Sequence, residues 1–170
     1  MRSNKTFSSV PFTKRVDYDG GAHRGARAMK GPLVCRKCGA LYYKRRWLPA
    51  TDPLAQEAAT SAARTTCRSC EMISKGLVAG YLRLEGEFVR AHHWELTRLL
   101  EREAERALQD NPTGRMISVP SARADVITVA ATTEHLIERL GRAIEHAYDG
   151  EIKFGFGHGN KFARAVWHRD

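Results

Sequence analysis

The chain has no apolar run approaching the ~20 residues a membrane span needs, and its first 30 residues contain none fit for the core of a secretory signal. The expectation is a soluble, cytoplasmic protein with no membrane partner, whose thiols stay reduced. Carboxylates are nearly missing from the first 50 positions, where Asp17 and Asp19 face 12 Lys and Arg, a net of +10. Residues 51–170 hold 16 Lys and Arg against 17 Asp and Glu, a net of −1. The formal charge of +9 therefore sits at one end of the chain. That imbalance points to a polyanion such as nucleic acid, contacted through the N-terminal part.

Also missing are a repeat at solenoid periods, a nucleophile–base pair and paired carboxylates. No catalytic residue and no small-molecule substrate is called for. The glycine-rich stretch 155–161 does not match G-x-x-x-x-G-K-[ST], and no helix start follows it to hold phosphate. It reads as a hairpin turn whose Lys161 can reach a backbone phosphate. His92-His93-Trp94 lies on a helix, where neighbouring side chains diverge by about 100°, so it is read as helix surface rather than a metal site.

Cysteine is scarce, but its placement is specific. Four occur, Cys35 with Cys38 and Cys67 with Cys70, two C-x-x-C pairs that use every thiol. Each short loop turns two thiolates toward one point, and two loops complete a tetrahedral zinc site. Four thiolates leave no position for water or substrate, so the expected Zn2+ is a single structural ion. Gly39, directly after the second cysteine, suits the left-handed turn of a metal knuckle. Two disulfides would need an oxidising compartment, and a redox C-x-x-C would leave the other pair idle. Segment 39–66 between the pairs is long for a zinc ribbon and must hold an insertion.

Three regions follow. Residues 1–30 are rich in Gly, Ser and Arg and read as a flexible basic arm. Residues 31–80 form the zinc-ribbon module. Within it 41–47 leave the first knuckle as a strand, and Asp52-Pro53 caps a helix that continues from Leu54 to Arg64. Residues 81–170 read as β-α-β-β-α-β-β. The elements are a strand at 81–84, a helix at 88–108, strands at 116–119 and 126–130, a helix at 134–148, and strands at 151–156 and 162–168. The stripe Leu136, Ile137, Leu140, Ile144 and Ala147 should be the buried face of the second helix. The fold class is α+β: a four-Cys ribbon followed by a ferredoxin-like, mainly antiparallel sheet with two helices on one face.

Contact with RNA is expected from Tyr42, Tyr43, Lys44, Arg45, Arg46 and Trp47, flanked by Arg36, Lys37 and Arg68 on the knuckles. Cations neutralise phosphate, and aromatic faces stack on the unpaired bases that RNA loops offer. The alternative is that one Tyr and Trp47 pack the small ribbon core while the charges are merely solvated.

The pattern C-x-x-C-G (Cys35, Cys38, Gly39), then Cys67 and Cys70, leads into Gly80-Tyr81-Leu82-Arg83-Leu84. With Thr132-Thr133 ahead of Leu136 and the closing Val166-Trp167-His168-Arg169-Asp170, it resembles a group of small bacterial zinc proteins. These look like relatives of the archaeal and eukaryotic large-ribosomal-subunit export adaptor, the family named after nonsense-mediated decay. The resemblance covers residues 31–170. The adaptor family carries more C-x-x-C pairs and further domains, so its export role does not transfer. What the resemblance implies is docking on the large ribosomal subunit near tRNA-binding sites, in assembly quality control or ribosome hibernation. The expected function is that of a non-enzymatic, rRNA-binding zinc protein acting by occupancy. Its rivals are a zinc-ribbon DNA-binding regulator and a protein-interaction subunit of an enzyme complex.

Overall fold

The computed structural model of the protein describes residues 29–157 and 162–170. The basic arm up to residue 28 and the turn at 158–161, with Lys161, lie outside the described residues.

Two sheets organise the described residues. The first is built from β1 (Leu33–Cys35), β2 (Leu41–Tyr43), β3 (Arg46–Leu48) and β4 (Ala63–Thr65), in the order β3-β2-β1-β4. Residues 41–47 are not one strand but a hairpin, because Lys44 and Arg45 both turn left-handed, with φ of 47° and 66°. The helical insertion is α1 (Pro53–Ala58), with Asp52 accepting from the Leu54 amide at 2.9 Å and Pro53 at its first turn. It stops well before Arg64. Residues 63–65 instead run parallel to β1, and the Thr65 carbonyl accepts from the Arg36 amide at 2.8 Å. Sheet pairing thus overrides the alanine-rich helix propensity there. Val34, Leu41, Leu48 and Ala55 form the small core of this sheet. Then α2 (Arg68–Ser74) leaves the second knuckle.

The second sheet has the order β6-β7-β5-β9-β8, from β5 (Gly80–Glu85), β6 (Met116–Val119), β7 (Val126–Ala131), β8 (Glu151–Phe156) and β9 (Ala163–His168). It is antiparallel except where β9 lies parallel to β5. The succession of strands and helices is the expected one, but β9 lies between β5 and β8 and puts β8 at the edge, so the sheet departs from the ferredoxin-like order. One face carries α3 (Glu87–Ala91), α4 (His93–Asp110) and α5 (Glu134–Tyr148). The helix expected over 88–108 is thus two helices, broken at His92, whose φ of −118° and ψ of 26° leave the helical range. The break lets Val89 and Leu96 both reach the core, each 0% exposed. In α5 the stripe Leu136, Ile137, Leu140 and Ile144 is buried as its period demands, while Ala147 faces solvent. Gly141 completes the buried face, where a Cβ would meet Ile152 at 2.8 Å and Phe154 at 2.9 Å.

The two sheets meet at a polar seam. Thr133 caps α5 by accepting from the Leu136 amide at 3.3 Å, which frees Thr132 for another task. Thr132 Oγ1 donates to the Thr113 carbonyl at 2.7 Å and accepts from the Arg115 amide at 2.8 Å. Ser69 of α2, 1% exposed, donates to the same Thr113 carbonyl. A buried hydroxyl of the cysteine module is thereby tied to the loop that ends α4.

Candidate metal centre

Cys35 ends β1, and the next residues turn tightly. The Cys35 amide donates to the Ala40 carbonyl at 2.8 Å, and the Gly39 amide donates back to the Cys35 carbonyl at 2.9 Å. Gly39 closes this turn with φ of 72°, where any side chain would be strained, and its Cβ would press on Ala50 at 3.1 Å. The second loop starts α2, with Cys67 at the N-cap. Its amide donates to Cys35 Sγ at 3.3 Å, and the Cys70 amide donates to Cys67 Sγ at 3.5 Å. Because β4 runs beside β1, the two loops arrive at the same end of the sheet.

All four sulfurs lie within 4.8 Å of one another. Cys38 Sγ and Cys67 Sγ are 3.8 Å apart, far beyond the about 2.05 Å of a disulfide. Four sulfurs at about 2.3 Å from a common ion form a tetrahedron with edges of about 3.8 Å. The spacing fits a bound metal and not two disulfides.

The electrostatics agree. Burial opposes ionisation of Cys35, yet amides of Cys67, Lys37 and Cys38 and the Cys38 thiol outweigh it and hold the thiol down to about 6. Burial pushes Cys67 up to about 11; the Cys70 amide opposes this, and negative charge at Cys38 and Cys35 adds to it. Cys70 is pushed higher still, by burial first and then by the thiols of Cys67 and Cys38. A cation at the centre relieves this conflict by replacing the protons.

The structure does not gather the expected RNA-contacting residues into one patch. Arg36 and Lys37 sit on the first knuckle and Arg68 on the second, beside the cysteines. Lys44, Arg45 and Arg46 occupy the far end of the β2–β3 hairpin, roughly 10 Å away at about 3.3 Å per strand residue. All six are exposed, and among the described residues none has a carboxylate partner within ion-pair distance. The rings are more withdrawn. Trp47 packs on the cysteine cluster, Tyr42 lies opposite it at 5.4 Å, and Tyr43 packs on the apolar cluster around Val34. Packing in the ribbon therefore takes up part of each ring, and all three remain half-buried.

Sequence reasoning passed over a second surface, the face of the larger sheet turned away from the helices. It displays Tyr81, Arg83, Arg164, Val166 and Lys153. The signal was the alternation along 80–85 and 163–168, where buried small or apolar residues take turns with polar ones.

No family model, no curated protein and no solved structure matches the chain. Among the described residues, no helix is long and apolar enough to cross a membrane.

Proposed function

We propose that the protein is a zinc-stabilised RNA-binding protein that docks on the ribosome. Cys35, Cys38, Cys67 and Cys70 hold one structural Zn2+; four soft thiolates in tetrahedral spacing suit zinc, and the ion supplies folding energy rather than chemistry. The observation that carries this reading is the contrast in charge pairing. On the two knuckles and at the tip of the β2–β3 hairpin, Arg36, Lys37, Lys44, Arg45, Arg46 and Arg68 stand exposed and lack carboxylate partners among the described residues. On the larger sheet and its helices most cations, Arg83, Arg90, Arg98, Arg106, Arg123, Arg139, Arg142 and Lys153, are matched to a nearby Glu or Asp, while among the described residues Arg102, Arg115, Arg164 and Arg169 have no such partner. Unmatched cations held on a rigid support are what phosphate binding needs.

Structured RNA is favoured over duplex DNA because the basic residues sit on a hairpin tip and two knuckles, not on a helix shaped for a major groove. The resemblance to ribosome-linked zinc proteins points to rRNA of the large subunit, near the tRNA sites. There the protein acts by occupancy, as a hibernation or assembly factor. The test is sedimentation of cell extract through a sucrose gradient, with the purified zinc-loaded protein titrated onto ribosomes in rising salt. Co-migration with large subunits and affinity that falls steeply with salt are expected. Salt-indifferent binding, or equal competition by duplex DNA, sinks the proposal.

A further inference from the structure

The pairing registers place side chains of the helix-free face of the larger sheet in three cross-strand rows. Tyr81, Arg164 and Gly155 share the row nearest the cysteine module. Arg83, Val166 and Lys153 form the next, and Glu85, His168 and Glu151 the last. Phe162, two residues before Arg164, lies on the same face. Its ring centroid is 5.9 Å from that of Tyr81, and the Arg164 guanidinium sits 5.6 Å from it. Tyr81, on the middle strand of the sheet, is 39% exposed. Gly155 opposite Arg164 has no side chain, which opens a depression of about 530 Å³ between β9 and β8, reaching from Arg164 and Lys153 to Glu85 and Glu151. That volume falls within the range typical of small-ligand sites.

We infer that this face binds an unpaired stretch of RNA, stacking a base on Tyr81 and Phe162 and holding its phosphate on Arg164 and Lys153. The inference rests on the RNA-binding reading above and gives it a second, strand-selective surface. Arg164 has no carboxylate partner among the described residues, so its planar guanidinium is available to phosphate and to a base face. Lys153 is engaged with Glu151 at 2.9 Å, but both side chains are largely exposed and such a pair is easily exchanged. Charge changes sign along the rows, from cations beside the cysteine module to Glu85 and Glu151 at the far end. Phosphate is therefore welcome at one end and repelled at the other. The carboxylates there accept hydrogen bonds from base N–H groups instead. A duplex closes its bases to stacking, whereas an unpaired strand offers them.

Zinc-loaded full-length protein tests this, using fluorescence anisotropy with a short unstructured RNA and a duplex of the same length across a salt series. Tyr81→Ala should weaken single-strand binding roughly 5- to 150-fold and leave duplex binding unchanged. Arg164→Gln should lower the salt slope on the single strand by about 0.7. Tyr81→Phe keeps the stacking ring and should bind as the parent does. Zinc content and melting temperature confirm that each variant is folded. Unchanged single-strand affinity in Tyr81→Ala and Arg164→Gln overturns the inference. So does an equal loss on both RNAs. If those two bind normally while Arg45→Glu with Arg46→Glu abolishes binding, the proposed function stands without this surface. If the parent protein binds neither RNA, both fall.

Discussion

Lys44 and Arg45 turn the β2–β3 hairpin with φ of 47° and 66°, a two-residue turn that ordinarily takes Asn-Gly. The left-handed region costs a residue with a side chain about 1–2 kcal/mol. Replacing Arg45 with Gly removes that cost and returns about 0.5–1 kcal/mol of it as unfolded-state entropy. Lys44→Asn contributes a smaller gain, since Asn tolerates this conformation better than Lys. The double variant Lys44→Asn/Arg45→Gly should therefore be more stable by about 1 kcal/mol. In a chain of this size that raises the melting temperature about 2–4 °C, measured by calorimetry on zinc-loaded protein. The same change removes two cations from the hairpin tip. Its RNA affinity should fall, and the slope of log affinity against log salt should shrink by about 1.4 to 1.8. Opposite movement of stability and binding is the expected signature of strain kept for a contact. A variant that melts lower, or one that binds RNA with an unchanged slope, would refute the assignment of this turn to phosphate.

Other outcomes follow from the metal and the seam. Cys70→Ser should drop the zinc content well below the expected one ion per chain and unfold the smaller sheet, read by metal analysis and circular dichroism. Metal uptake near neutral pH strips the protons that burial holds on Cys67 and Cys70, whereas Cys35, near 6, has largely lost its own. The sign is that affinity rises with pH, by roughly a hundredfold or more per unit since at least two protons are released, measurable with a competing zinc chelator between pH 6.5 and 8. Thr132→Val leaves the Arg115 amide unpaired and takes one of two donors from the Thr113 carbonyl. It should cost about 1–3 kcal/mol in denaturant unfolding. Gly141→Val drives a side chain into Ile152 and Phe154 and should cost a similar about 1–3 kcal/mol, with the metal site intact.

The readable parts of this chain were those governed by local rules. Asp52-Pro53 marked a helix start because capping acts within a few residues, and the periodicity of α5 exposed its core stripe. The cysteine site was legible because the C-x-x-C spacing itself builds half of it. What stayed hidden depended on partners distant in sequence. Ala63 and Arg64 read as helix until β1 is beside them, and β9 reads only as a strand after a hairpin turn until β5 claims it. The break at His92 hid for a similar reason: whether Val89 and Leu96 reach one core depends on the sheet beneath them. The Tyr81–Phe162–Arg164 group lies on strands whose adjacency no local pattern announces, so its ring and charge were scattered across the sequence until the sheet assembled them.

The parallel pairing of Gly80–Glu85 with Ala163–His168 also has a temporal side. During synthesis β5, the middle strand, emerges long before its second neighbour, and β6, β7 and α5 can assemble on it while one of its hydrogen-bonding flanks stays bare. That flank is a sticky template for foreign strands until residue 168 has left the exit tunnel. Joining segments so distant along the chain also makes closure slow. A stalled nascent chain truncated before Ala163 should accordingly aggregate or recruit chaperones, whereas one released after His168 should not.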